Sequence, residues 1–133
     1  MGAEMISIED RFAILDLCAR YNYHIDTGAS ESWADTFIAD GVFDGPVGRA
    51  EGRLELIAFC DGLAAQFPGA MHFNDNHLFE TVEGGVLHRC FLTYQMPNED
   101  GTDIMLLGYE DDVVQVDGEW KFGERRVGPL NAL

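Results

Sequence analysis

The sequence predicts an α+β domain in which a cone-shaped, curved antiparallel β-sheet wraps around three N-terminal helices and encloses one pocket. Three observations carry that expectation. The first half of the chain has helical periodicity, and three turn signals divide the second half into four long extended segments. No linker, repeat or low-complexity stretch separates the halves, and 133 residues suit one domain spanning 1–133. A long antiparallel sheet twists and cannot lie flat on a helix, so it curls around the first helix and leaves a cone with an open end.

The elements follow in order. Ser7 opens Ser-Ile-Glu-Asp, an N-cap followed by acids that suit a first turn. Ile8, Phe12, Leu15, Ala19, Asn22 and Asp26 then recur at spacings of four and three, one helix face that Gly28 brings to an end. A second helix is expected from about Ser30 to Ala39, closed by Asp40-Gly41, with Val42-Phe43 as a short strand. A third is expected from about Gly52 to Phe67, with Leu54, Ile57, Ala58, Leu63 and Ala64 as its apolar set and Pro68-Gly69 closing it. Gly84-Gly85, Asn98 to Gly101, and Asp117-Gly118 are hairpin signals. They leave strands at about 70–83, 86–97, 102–116 and 119–128, a meander that the helices cover on one face.

Composition narrows the function classes. A hydrophobic fraction of 47% with nine Phe fits a packed core. A formal charge of -16, from 24 acidic against 8 basic residues, disfavours nucleic acid and anionic membrane surfaces as partners. No apolar run reaches the ~18 residues of a membrane span, and the opening MGAEMISIED lacks the pattern of a secretory signal, so the cytoplasm is the expected location. Cys18, Cys60 and Cys90 each sit in an apolar stretch with no CxxC pair, which reads as buried free thiols. The four histidines do not cluster with them at ligand spacing, so no metal is expected.

Two polar residues stand out. Asp26 lies 18 residues after Ile8, five turns on, so it shares the direction of the apolar stripe. A carboxylate there needs a partner or a raised pKa, unless it is solvated at a frayed helix end; periodicity leaves the two equal. His72 opens the first long strand. Alternation puts His72, Asn74, Asn76 and Leu78 on one face and Met71, Phe73, Asp75, His77 and Phe79 on the other. The second face is the more apolar, so parity does not send His72 inward.

The segments Arg20 to Gly28, Trp33 and Phe37, Asp40-Gly41-Val42-Phe43 and Gly69 to Asn76 resemble SnoaL-like domains of the nuclear transport factor two-like superfamily, as do Gly108-Tyr109-Glu110-Asp111, Asp117 to Phe122 and Arg125-Arg126-Val127. The resemblance covers nearly the whole chain; its motifs are loose singly and specific in their order. It points to the branch holding scytalone dehydratase and hexachlorocyclohexane dehydrochlorinase, which use an Asp–His dyad. Asp26 and His72 fall on those positions. Where such relatives carry a second histidine, this sequence has Tyr109 or Asp111 nearby.

The resemblance implies a cofactor-independent lyase or isomerase, with His72 as general base and Asp26 as its orienting partner. The substrate would be a small, apolar cyclic or polyketide-like molecule with an acidic C–H. Tyr21, Tyr23, Asn76, Tyr94, Tyr109 and Arg126 are candidate pocket residues, and of the adjacent Arg125 and Arg126 only one can face inward. Two other readings share the fold: a non-catalytic ligand-binding or dioxygenase-small-subunit-like module, which would need a large partner-facing surface, and an epoxide-hydrolase-like enzyme, which would show an Asp–Arg–Asp arrangement in its cavity. Residues 86–96 are apolar on both faces, Leu87 and Phe91 alternating with Cys90 and Leu92, so a homodimer through the outer sheet face is expected. A trimer would suit the dehydratase analogy.

Overall fold

In the computed structural model, which describes residues 5–132, Ser7 starts the first helix as its sequence suggests: its Oγ accepts a hydrogen bond from the Asp10 N–H at 3.1 Å. The helix, α1, runs Ile8–Asp26, and Gly28 leaves it at φ 72. It is followed by α2 (Ser30–Ala34), β1 (Phe37–Gly45), β2 (Gly48–Glu51), α3 (Arg53–Gln66), β3 (Met71–Val82), β4 (Gly85–Asn98), β5 (Gly101–Val116), β6 (Glu119–Gly128) and a 3₁₀ turn at Leu130–Ala132. The strands form one six-stranded sheet in the order β2-β1-β6-β5-β4-β3. β3 to β6 are the expected antiparallel meander, and β1 adds to β6 in parallel.

The second helix is much shorter than its sequence suggested. Thr36 stops it, donating its hydroxyl to the Trp33 carbonyl at 2.6 Å, while its own carbonyl accepts from the Phe122 N–H at 2.9 Å. That bond recruits Phe37 and Ile38 into β1. Asp40-Gly41 is therefore not a helix end but part of a bulge, where the register against β6 shifts between Phe37 and Val42. Glycine is required in it, because a Cβ on Gly41 would lie 2.7 Å from the Phe37 Cβ.

The buried stripe of α1 is Ile14, Leu17, Cys18, Tyr21 and Ile25, rotated from the expected one. Ile8 and Phe12 are 68% and 67% exposed, while Asn22 and Asp26 lie on the flank beside β3. The longer run of apolar residues wins the core, and the more polar stripe borders it. The same correction applies to α3: Leu56 and Cys60 are buried, and Leu54 is 85% exposed. Trp33 is the centre of the packing between helices and sheet, with ring centroids 5.4 Å from Tyr21, 5.2 Å from Phe37 and 5.9 Å from Phe59.

A second bulge positions the chemistry. The pairing of β3 with β4 shifts between Asp75 and Leu78, and Asn76 takes a left-handed φ of 56. One extra residue reverses the alternation. His72 and Asn74 face inward before it, and His77 and Phe79 after it, so both histidines share the inner face. The outer face exposes Met71, Phe73, Leu78, Phe91, Ile104 and Leu106. No helix among the described residues is long and apolar enough to cross a membrane.

Burial pushes the Tyr21 phenol up to about 12 from its ordinary 10. A folded-state value above the unfolded one means that its contribution is whole below about pH 10 and is lost as pH rises toward 12. Tyr21 alone should cost roughly 1 kcal/mol of stability by about pH 11. Urea midpoints at about pH 8 and pH 11 check this, and equal midpoints would contradict it.

Candidate active site

Asp26 closes α1 and His72 opens β3, and Pro68-Gly69-Ala70 carries the chain between α3 and that strand. The Asp26 carboxylate grips His72 twice. Its Oδ2 accepts from the His72 backbone N–H at 3.0 Å, and its Oδ1 lies 2.6 Å from His72 Nδ1. A carboxylate at a helix C-terminus opposes the helix dipole; two donors on its two oxygens offset that cost. With Nδ1–H donated to Asp26, the free lone pair of the ring is on Nε2. The side chains are 7% and 15% exposed, buried enough to be held and open enough to be reached.

Three spaces meet at His72 instead of one enclosed pocket. An apolar chamber of about 70 Å³ inside the sheet is lined by His72 with Tyr21, Tyr94, Tyr109, Met105 and Leu107 among others. A cleft of about 260 Å³ between α1 and α3 shares Ile25, Leu63, Phe67, His72 and Tyr94 with it. A third, of about 570 Å³, opens outward past Asn22, Tyr23, Asp26 and Met71. The Tyr94 ring stands 4.5 Å from the His72 ring, and burial, with the Asp26 charge nearby, pushes its phenol up to about 12. Tyr94 is thus a hydroxyl donor at neutral pH.

The candidate pocket residues separate clearly. Tyr21, Tyr94 and Tyr109 line the chamber. Tyr23 is 74% exposed and belongs only to the outer cleft. Asn76 lines none of these three spaces; it is the exposed turn of the bulge. Arg126 also lies outside the chamber, facing outward to Asp112 at 3.1 Å, Glu124 at 2.6 Å and Glu110 at 3.3 Å. Arg125 is the inward member of the pair.

Two groups were missed. Asn22 donates to Asn74 at 2.8 Å beside the dyad, and Asn74 donates to the Phe91 carbonyl at 3.1 Å. Deeper in the sheet, Arg125 Nε donates to Asp111 at 3.0 Å, His88 Nδ1 lies 2.8 Å from the other Asp111 oxygen, and His77 Nδ1 lies 2.9 Å from His88 Nε2. His88, Asp111 and Arg125 are wholly buried. The Arg125 guanidinium carbon lies 3.5 Å from the Tyr109 ring centroid and 4.3 Å from that of Tyr21. Hairpin counting from Asn98 to Gly101 pairs residue 88 with residue 111, so half of this cluster was readable. Among the described residues its arginine has one carboxylate partner, and it lies outside the chamber lining, unlike the acid–Arg–acid cavity of a hydrolase.

The dyad sits in a fold found in many solved proteins. A protein of unknown function from Mycobacterium tuberculosis, Rv3472 in its D26N form, superposes with a TM-score of 0.84 at 28% identity, covering 90% of this chain and 70% of that one. A candidate scytalone dehydratase from Novosphingobium aromaticivorans gives 0.80 at 29% identity, covering 90% and 83%. A candidate aromatic ring hydroxylase from the same organism gives 0.85 at 24% identity over 95% and 92%, a likeness of fold alone. No curated protein matches the sequence. The model of the SnoaL-like domain matches residues 7–126, nearly the whole chain, and the protein therefore belongs to the SnoaL-like domain family.

Proposed function

We propose that the protein is a lyase or isomerase in which His72 removes a proton from carbon and Asp26 holds and charges-balances the ring. The observation that carries this reading is the 2.6 Å contact between Asp26 Oδ1 and His72 Nδ1, at the junction of an apolar chamber and two clefts. The proton passes from an acidic C–H to His72 Nε2. The electron pair left on carbon shifts into a neighbouring carbonyl or ring. It then expels hydroxide or halide from the adjacent carbon, or takes a proton at another position. Asp26 stabilises the imidazolium so formed, and Tyr94 donates to the substrate oxygen where charge gathers.

The substrate class is a small apolar ring or polyketide-like molecule. The chamber walls are aromatic and aliphatic, and 70 Å³ is too small for a ring unless Leu63 and Phe67 yield toward the neighbouring cleft. The candidate scytalone dehydratase among the similar structures supports the same class. The test is deuterium wash-in: the protein is incubated in D₂O with a panel of cyclic ketones, phenols and halogenated rings, and isotope incorporation or elimination is followed by mass spectrometry. Catalysed exchange that Asp26→Asn abolishes supports the proposal. Ligand binding without exchange or elimination across the panel would leave a binding module as the better account.

The homodimer belongs to this proposal as well. The outer row of Phe73, Phe91, Ile104 and Leu106 forms an apolar surface on a chain of charge -16. Light scattering at micromolar concentration should give twice the chain mass; a monomer mass would contradict it.

A further inference from the structure

We propose that Cys18, His77 and His88 form a site for one divalent cation of the zinc class, on the inner face of the sheet and separate from the Asp26–His72 dyad. The three come from α1, β3 and β4, far apart in sequence, and their ligand atoms all lie within 4.8 Å of one another. Two imidazole nitrogens and one sulfur suit a borderline-soft ion that accepts tetrahedral geometry, with a fourth position left for water.

Two features beyond proximity point to a ligand. The first is the bulge at Asn76. Without its extra residue, alternation would turn His77 to the outer face, where it cannot meet His88. The sheet adopts a left-handed non-glycine residue there, and the result is two inward imidazoles 2.9 Å apart. The second is the Asp111 carboxylate, which is 2.8 Å from His88 Nδ1 and tied on its other oxygen to Arg125 at 3.0 Å. A carboxylate on one ring nitrogen orients the other as a ligand, the arrangement that supports metal-bound histidines. His88 Nε2 is thereby presented to His77 and Cys18 as the lone-pair side of the ring.

The alternative is a hydrogen bond from His77 to His88 with Cys18 as an inert core thiol. The two ring nitrogens would have to part by a few tenths of an ångström to share an ion, since tetrahedral ligands at ~2.0 Å stand roughly 3.3 Å from each other. His77 is half-buried, so it connects the cluster to the surface and gives the ion its route in. The charges also allow it. Asp111 and Arg125 neutralise each other, and the thiolate offsets one of the two charges on the ion. Binding releases the Cys18 proton to solvent, and the His77 proton moves to its outward nitrogen.

The experiment is a titration of the chelator-treated full chain with Co(II), followed by displacement with Zn(II). The expected result is one ion per chain, with a thiolate-to-cobalt charge-transfer band. Cys18→Ser should abolish the band, and His77→Gln should weaken binding by about 10–100-fold or more. His72→Gln should bind as the parent does. If Cys18→Ser fails to fold, His77→Gln and a thermal shift decide: Zn(II) should raise the Tm of the parent and not of His77→Gln. Absence of a thiolate band with the parent, or equal binding by parent and His77→Gln, would overturn the proposal.

Discussion

Replacing His72 by Gln is expected to lower turnover by about 10²–10⁴-fold, the range that a positioned proton-transfer group contributes. Gln keeps polarity and approximate size but cannot take a proton. Ligand affinity should change far less, because the base acts on the transition state and not on the bound substrate. Asp26→Asn should act similarly, since it removes the negative charge that lies 2.6 Å from Nδ1. The double variant should be little worse than either single one, because the residues act as a unit. Single-turnover rates and dissociation constants measured on the same variants separate the two effects. A His72→Gln protein with parental turnover would end the assignment of His72 as base.

The second large effect is on stability. Asp111→Ala removes the one carboxylate that bonds a wholly buried Arg125 among the described residues and takes the Nδ1 partner from His88. Stranding a buried cation in this way costs about 3–5 kcal/mol, a large part of the 5–15 kcal/mol that holds a typical domain. Replacing both members by apolar residues of similar size, as in Asp111→Leu with Arg125→Met, should recover most of that loss. Urea unfolding of the three variants checks it. A loss below about 1 kcal/mol for Asp111→Ala would show that Arg125 is satisfied by its aromatic neighbours alone.

Much of the fold was legible because turn chemistry is local. The three glycine-containing turns put all four meander strands within a few residues of their true bounds. The dyad was legible differently: the stripe that led to Asp26 was the flank of α1 and not its core face, and family likeness paired it with His72. What lay beyond reach depended on tertiary contact. Phe37 and Ile38 become strand only because Thr36 bonds to Phe122, and β2 exists only because β1 does. The bulge at Asn76 carries no glycine signal, so plain alternation put His72 and His77 on opposite faces, whereas the bulge brings both to the inner one. Arg125 and Arg126 show the same limit. Alternation allowed one of them inward, and only the partners Asp111 and Asp112 decide which.

In the proposed mechanism Asp26 fixes His72 with its proton on Nδ1, so that Nε2 offers a lone pair to the bound molecule. Long-range ¹H–¹⁵N NMR of the imidazole reads the tautomer and needs no substrate. In the neutral imidazole of His72 a protonated Nδ1 and an unprotonated Nε2 are expected, with a loss of that preference in Asp26→Asn. A neutral His72 carrying its proton on Nε2 in the parent protein would contradict it.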